Sequence, residues 1–173
     1  MLGSDTVPGN YEDLDCADLI VLVGSNTAWC HPVLFRRMQQ NRAERGARIV
    51  VIDPRVTATA EDADLVLPLK PGSDSVLFAG LLVHLADHGL TDATYVARHV
   101  TGFEATLENA RTLAPDLATI ASRTGLEPAQ ITAFYALWAE TPAVVTAWSQ
   151  GVNQSAQGTD KVAAILHCHL ATG

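Results

Sequence analysis

The sequence predicts an α/β fold in which a mostly parallel sheet is covered by helices on both faces, three layers in all. Three observations carry that expectation. Leu19–Val23 and Arg48–Ile52 contain short, continuous aliphatic runs, the pattern of strands buried on both faces. Stretches with helical apolar spacing lie between the strand-like runs, and such alternation builds parallel strands joined by right-handed crossovers. Finally, 173 residues with 48% hydrophobic and 17% charged side chains suffice for one sizeable core without a disulfide or metal staple.

The elements follow in order. Leu19-Ile20-Val21-Leu22-Val23 is a strand that ends in Gly24-Ser25-Asn26, and Val33 to Arg45 reads as a helix closed by Gly46. A second strand, Arg48–Ile52, stops at Asp53-Pro54. A short helical stretch around Thr59–Ala63 leads into a third strand, Leu65–Leu67. Pro71-Gly72-Ser73-Asp74 then turns the chain into an apolar helix from Ser75 to about His88. From Asp92 to Thr141 the pattern is helical throughout, punctuated by Gly102, Pro115, Gly125 and Pro128. A fourth strand, Ala143–Trp148, returns the chain to the sheet. A polar loop, Ser149 to Gly158, precedes a last helix, Lys161 to Leu170. The whole is a Rossmann-like sheet with a helical insertion at about 92–141. Residues 15–90 form a first βαβ half, 91–141 a helical segment, and 142–173 the returning strand and helix. The abrupt ends suggest a piece of a longer polypeptide.

Composition narrows the function classes. Eleven Lys and Arg against nineteen Asp and Glu give a net charge of −8, which argues against a nucleic-acid partner. No apolar run of about 18 residues occurs, so no membrane span is expected. Cys16, Cys30 and Cys168 form no CxxC pair, which argues for a reducing compartment and against a cysteine-built zinc or iron–sulfur site within this chain. Met1 opens no recognisable signal peptide, which together with the resemblance set out below gives the expectation of a cytoplasmic location.

Ligands of open parallel sheets bind beyond the C-terminal ends of the strands. Four such ends carry small and polar residues: Gly24-Ser25-Asn26-Thr27, Asp53-Pro54-Arg55, Gly72-Ser73-Asp74, and the loop from Ser149 to Gln154 that contains Gln150. Glycine admits a close backbone approach, and free N–H groups attract phosphate. Gly24-Ser25-Asn26 is neither GxGxxG nor a P-loop, which argues against a nicotinamide dehydrogenase. Asp53 sits where an acid often meets a ribose hydroxyl. Asp74 either accepts from a nucleobase N–H or caps its helix. Arg36, Arg37, Arg42 and Arg45 read as a solvated helix face, whereas Arg55 follows a strand end where a phosphate could lie. His84 and His88 share a helix face without the HExxH pattern, and His167 and His169 flank Cys168 at a spacing unsuited to one metal. No nucleophile elbow is visible, so these residues offer a binding scaffold with no catalytic centre and no metal ligand of its own.

The segment from Gly24 to Phe35, GSNTAWCHPVLF, resembles the prokaryotic molybdopterin oxidoreductases that carry a molybdenum bis(molybdopterin guanine dinucleotide) cofactor. Within them it is most similar to the catalytic subunit of assimilatory nitrate reductases. Further matches run along the chain in family order: Ser4 to Asp13, Ile52 to Arg55, Ala63-Asp64, Leu67 to Asp74, and Gln150 to Ser155. The resemblance implies that Gly24, Ser25, Asn26 and Thr27 approach the phosphates. Asp53, Pro54 and Arg55 would meet a guanosine end, and Gly72, Ser73 and Asp74 would hold the guanine or its ribose. Gln150 and Gln154 would lie close to the pterin. It also implies a [4Fe-4S] cluster and a molybdenum ligand upstream in the parent protein; this chain lacks the cysteine motif, and neither Cys16 nor Cys30 fits the metal. Nitrate as substrate, an electron-donor protein or domain, and an inactive, self-associating fragment are the remaining expectations. The alternatives are a non-catalytic nucleotide-binding or interaction module, or another enzyme of the family such as a formate dehydrogenase.

Overall fold

In a computed structural model that describes residues 7–173, the aliphatic runs are adjacent central strands. Ser4-Asp5-Thr6, part of the upstream match, lie outside the described residues. The strands are β1 (Leu19–Val23), β2 (Arg48–Ile52), β3 (Leu65–Leu67) and β4 (Val144–Trp148). Among the described residues they form one sheet in the order β3-β2-β1-β4, with every pairing parallel. Val23 pairs with both Ile52 and Trp148, and Ile52 pairs with Leu67. All four strands therefore end level, and their following loops leave from one edge.

Side-chain alternation divides β1 and β2 between two cores. Ile20, Leu22, Ile49 and Val51 face α1 (Asp13–Cys16) and α3 (Pro32–Arg45), where Met38 is buried among them; the short α2 (Thr27–Cys30) leads into α3. Leu19, Val21, Val23, Val50 and Ile52 face the other layer. That layer contains α4 (Asp74–Asp87), then α5 (Ala93–His99), α6 (Phe103–Leu113), α7 (Leu117–Thr124) and α8 (Pro128–Ala139). After β4 come α9 (Gln150–Asn153) and α10 (Gly158–Thr172), which packs against α4. The helical insertion surrounds α4, so Leu77, Phe78, Leu81, Leu82 and Leu85 are all buried. Phe78, Phe134 and Trp138 meet edge-to-face with ring centroids 6.0–6.4 Å apart.

Several boundaries differ from the expectation. α3 starts at Pro32, because proline lacks only an N–H that a first turn leaves free. The stretch near Thr59 is a single 3-10 turn, Ala58–Ala60. The loop after β4 is partly helical, and α10 begins at Gly158, where a side chain would crowd the Asn153 carbonyl at 2.7 Å. The basic face of α3 is not simply solvated. Arg37 pairs with Asp15 at 2.6 Å, Arg42 grips Asp64 through two bonds of 2.7 and 3.1 Å, and Arg45 lies 3.6 Å from Asp18, leaving Arg36 exposed. Asn41 donates to the carbonyls of Leu14 and Ala17, both at 2.8 Å, and so fastens α1 to α3.

His84 and His169 pack against aromatic rings. His84 and His88 stack at 4.2 Å, and His84 also lies against Tyr135. The His169 ring lies tilted against Trp138, with centroids 4.8 Å apart, and its Nε2 is 2.9 Å from Thr146 Oγ1, joining α10 to α8 and β4.

Phe134→Ala removes a ring from the centre of the aromatic cluster and is expected to cost about 3–5 kcal/mol, read by chemical denaturation. Burial holds the His169 ring down to about 4 from its usual 6.5. Between those values the unfolded chain takes up a proton that the native state refuses, so stability falls as pH drops from 6.5 towards 4. Burial shifts His84 and His167 in the same direction. His169→Gln should flatten that slope by up to about 3 kcal/mol in denaturation series across the window.

Candidate functional site: a cleft at the level strand ends

Gly24 ends β1 with φ +55°, a left-handed conformation that favours glycine. Its N–H donates to the Ile52 carbonyl at 2.8 Å, and its own carbonyl accepts the Gly151 N–H at 3.0 Å. A Cβ on Gly24 would sit 2.9 Å from the Gly151 backbone, and one on Gly151 would sit 2.7 Å from the Gly24 Cα. The first and fourth loops thus touch backbone to backbone. β1 leads to α3 on one face of the sheet and β4 to α10 on the other, so this contact marks the topological switch point, where such sheets open a crevice.

The crevice has a volume of about 620 Å³ and draws on all four loops. Of the sequence-predicted residues, Gly24, Asn26, Asp53, Pro54, Arg55, Gly72, Asp74 and Gln150 line it. Ser25, Thr27 and Ser73 do not line it. Ser25 and Thr27 are buried with their hydroxyl oxygens 2.8 Å apart, and Ser73 donates to the Lys70 carbonyl at 2.7 Å. These three shape the loops from behind. Gln154 is exposed and also lies off the lining.

Local bonding fixes what the lining presents. Asn26 accepts from the Thr59 hydroxyl at 2.9 Å, which itself accepts the Ala28 N–H at 3.0 Å. Asp53 is buried; one carboxylate oxygen accepts the Arg55 N–H at 2.9 Å, while the Arg55 guanidinium reaches outwards, 72% exposed. Gly72 has φ +88° with nothing within 4 Å of its missing side chain, so the backbone there is open to a ligand. Asp74 is the first residue of α4, and the residue in the capping position is Ser73, which makes no side-chain cap bond. The capping alternative for Asp74 is therefore corrected: its carboxylate pairs with Lys161 Nζ at 2.8 Å, and both residues are buried.

Sequence reasoning missed Lys161, Lys70, Ser155 and Gln157, which also line the cleft. A lone lysine at the start of an otherwise apolar last helix was the available signal for Lys161. Lys70 is held over the cleft by donating to the Ser122 carbonyl at 3.0 Å. Cys30 is exposed at the cleft edge, and among the described residues no three His, Cys, Asp or Glu side chains group as metal ligands. No helix among the described residues is long and apolar enough to cross a membrane. Chemically, the cleft pairs open backbone and three cationic side chains with the acceptors Asp53, Asp74 and Gln150. It suits a large ligand with anionic and hydrogen-bonding parts.

Gly151→Ala is expected to break the Gly24 contact, destabilise the chain by about 1–3 kcal/mol in denaturant titration and weaken ligand binding in the cleft.

Residues 4–173 match the family model described as molybdopterin oxidoreductase. A nitrate reductase of Shewanella frigidimarina is 51% identical over 99% of this chain and 18% of its own length. A nitrate reductase of Klebsiella oxytoca is 44% identical over 99% of the chain and 19% of its own. The solved structure of acetylene hydratase from Pelobacter acetylenicus superposes with a TM-score of 0.76 and 26% identity, over 89% of this chain and 21% of that one. The chain thus spans about a fifth of the length of the curated relatives it matches.

Proposed function

The chain belongs to the molybdopterin oxidoreductase family, and on that premise we propose that its cleft holds one guanine dinucleotide arm of a molybdenum bis(molybdopterin guanine dinucleotide) cofactor in a nitrate reductase. The observation that carries this reading is the convergence of four strand-end loops on one cleft of about 620 Å³ at the switch point of the sheet.

The residues present fit such a group. Gly72 leaves an open cradle, with space where a Cβ would stand. Asp53 has a second carboxylate oxygen for a ribose hydroxyl or base N–H. Asn26, Gly24 and Gly151 bring backbone near the phosphates, with Arg55 and Lys70 as local positive charge in an acidic chain. Gln150 would lie towards the pterin. Gln154, exposed in this chain, would act only from a surface completed by further polypeptide. When bound, such a centre would supply the two-electron oxygen-atom-transfer chemistry by which nitrate becomes nitrite. This chain's share is to grip and orient the nucleotide end. The molybdenum ligand and the [4Fe-4S] cluster are assigned to other parts of the parent protein, as is contact with an electron-donor protein or domain, and the location is read as cytoplasmic. β4 is an edge strand, half-buried along its length, which supports association with further polypeptide or with itself.

The 173-residue chain is expected to bind guanine nucleotides in calorimetry yet show neither nitrate reduction with a reduced viologen as donor nor formate oxidation with an oxidised viologen as acceptor. Turnover by the chain alone, or no guanine-nucleotide binding, would overturn the reading. In the parent protein, nitrate turnover without formate turnover separates the favoured substrate from the alternative.

A further inference from the structure

A second opening lies on the helical layer. α4 packs against α10 and also against α6 and α7, while α10 makes no comparable contact with α6 or α7. A groove of about 450 Å³ therefore runs over α4 between them. It shares only Gly72 and Gln157 with the cleft at the strand ends. Ala79, Ala110 and Ala163, one each from α4, α6 and α10, leave this space because their side chains stop at Cβ.

Three polar groups of the groove have bonding capacity that the chain does not use. The Ser75 hydroxyl oxygen is buried without a hydrogen-bond partner, which native structures rarely tolerate. Arg123 gives one bond from Nη1 to the Leu113 carbonyl at 2.8 Å, and the rest of its donor fork is free. Asp160, exposed in the first turn of α10, joins no ion pair among the described residues. Because α7 and α10 flank α4, Arg123 and Asp160 stand on facing walls with Ser75 on the floor between them. His167 also lines the groove; burial lowers it from its usual 6.5, so near neutral pH its ring adds no charge.

A molecule that satisfies these groups together has a carboxylate, an ammonium close to it and a compact apolar body. A free α-amino acid with an apolar side chain carries all three on one carbon. We propose that the groove between α4, α6 and α10 binds such an amino acid. Arg123 and the Ser75 hydroxyl donate to its carboxylate, Asp160 accepts from its ammonium, and its side chain lies over Ala79, Ala110 and Ala163. Charge-assisted bonds at both ends discriminate, because a ligand that lacks one charge leaves Arg123 or Asp160 facing apolar surface. This assignment is independent of what the strand-end cleft holds.

The test is calorimetric titration of the full 173-residue chain at neutral pH with L-leucine, isocaproate and isoamylamine. The last two keep the apolar body and carry only the carboxylate or only the ammonium. L-leucine is expected to bind about tenfold tighter than either. Arg123→Gln should weaken L-leucine about tenfold and shrink its advantage over isoamylamine below about threefold. Asp160→Asn should do the same for its advantage over isocaproate. Both residues are exposed, so neither change disturbs the core, and circular dichroism melts check that the variants fold as the native chain does. Ala163→Leu, which fills the groove, should abolish binding of all three ligands. A groove that holds only water binds none of them at millimolar concentration, and that result overturns the proposal. Equal affinity for the three ligands, or L-leucine affinity unchanged in both charge variants, overturns it as well.

Discussion

The contact between Gly24 and Gly151 sets the geometry on which the cleft depends. Four parallel strands end in one row, but a level edge alone gives a flat rim. The rim becomes a crevice because β1 and β4 are neighbours whose chains depart to opposite faces, and their first loop residues must pass each other at backbone distance. Only glycine permits that approach on either side, since any Cβ there would fall inside 3.0 Å of backbone. The hydrogen bond from Gly151 to Gly24, and that from Gly24 to Ile52, tie three of the four loops to a common floor.

Behind that floor, the polar loop residues divide into two kinds. Ser25, Thr27, Thr59 and Ser73 spend their hydroxyls on neighbouring atoms of the same wall, which makes the loops rigid. Asn26, Asp53, Gly72, Asp74 and Gln150 turn surface towards the open volume. A buried polar group needs a partner, so the first kind is satisfied inside the protein, and the second kind has capacity left for a ligand. This division explains how an acidic chain can present a site suited to an anionic group: Lys70, Lys161 and Arg55 stand at the cleft while most carboxylates lie elsewhere or are engaged by arginines.

The helical insertion supports the site indirectly. It wraps α4, whose first residue is Asp74, and α4 packs along α10, which carries Lys161. The aromatic cluster of Phe78, Phe134 and Trp138, with His169 packed at a tilt against Trp138, anchors both helices beneath the cleft. Close-packed interiors transmit displacement, so the relative position of the third and fourth loops depends on a core some distance from them.

Much of this was legible in the residue order. The runs at 19–23, 48–52 and 65–67 specified three strands to the residue, because a strand buried on both faces needs uninterrupted aliphatic side chains. Gly24-Ser25-Asn26, Asp53-Pro54-Arg55 and Gly72-Ser73-Asp74 announced their loops by local turn chemistry, which acts over a few neighbours, and family membership followed from the same segments. Tertiary structure alone decided which of those polar residues face the cleft. Ser25 and Asn26 are adjacent and chemically alike, yet one is turned inward and the other outward by partners at Thr27 and Thr59. It also decided that Asp74 meets Lys161, 87 positions later in the chain, instead of capping its own helix. A pairing over that separation is set by how α4 and α10 pack against each other on one face of the sheet, and no local pattern around either residue encodes it.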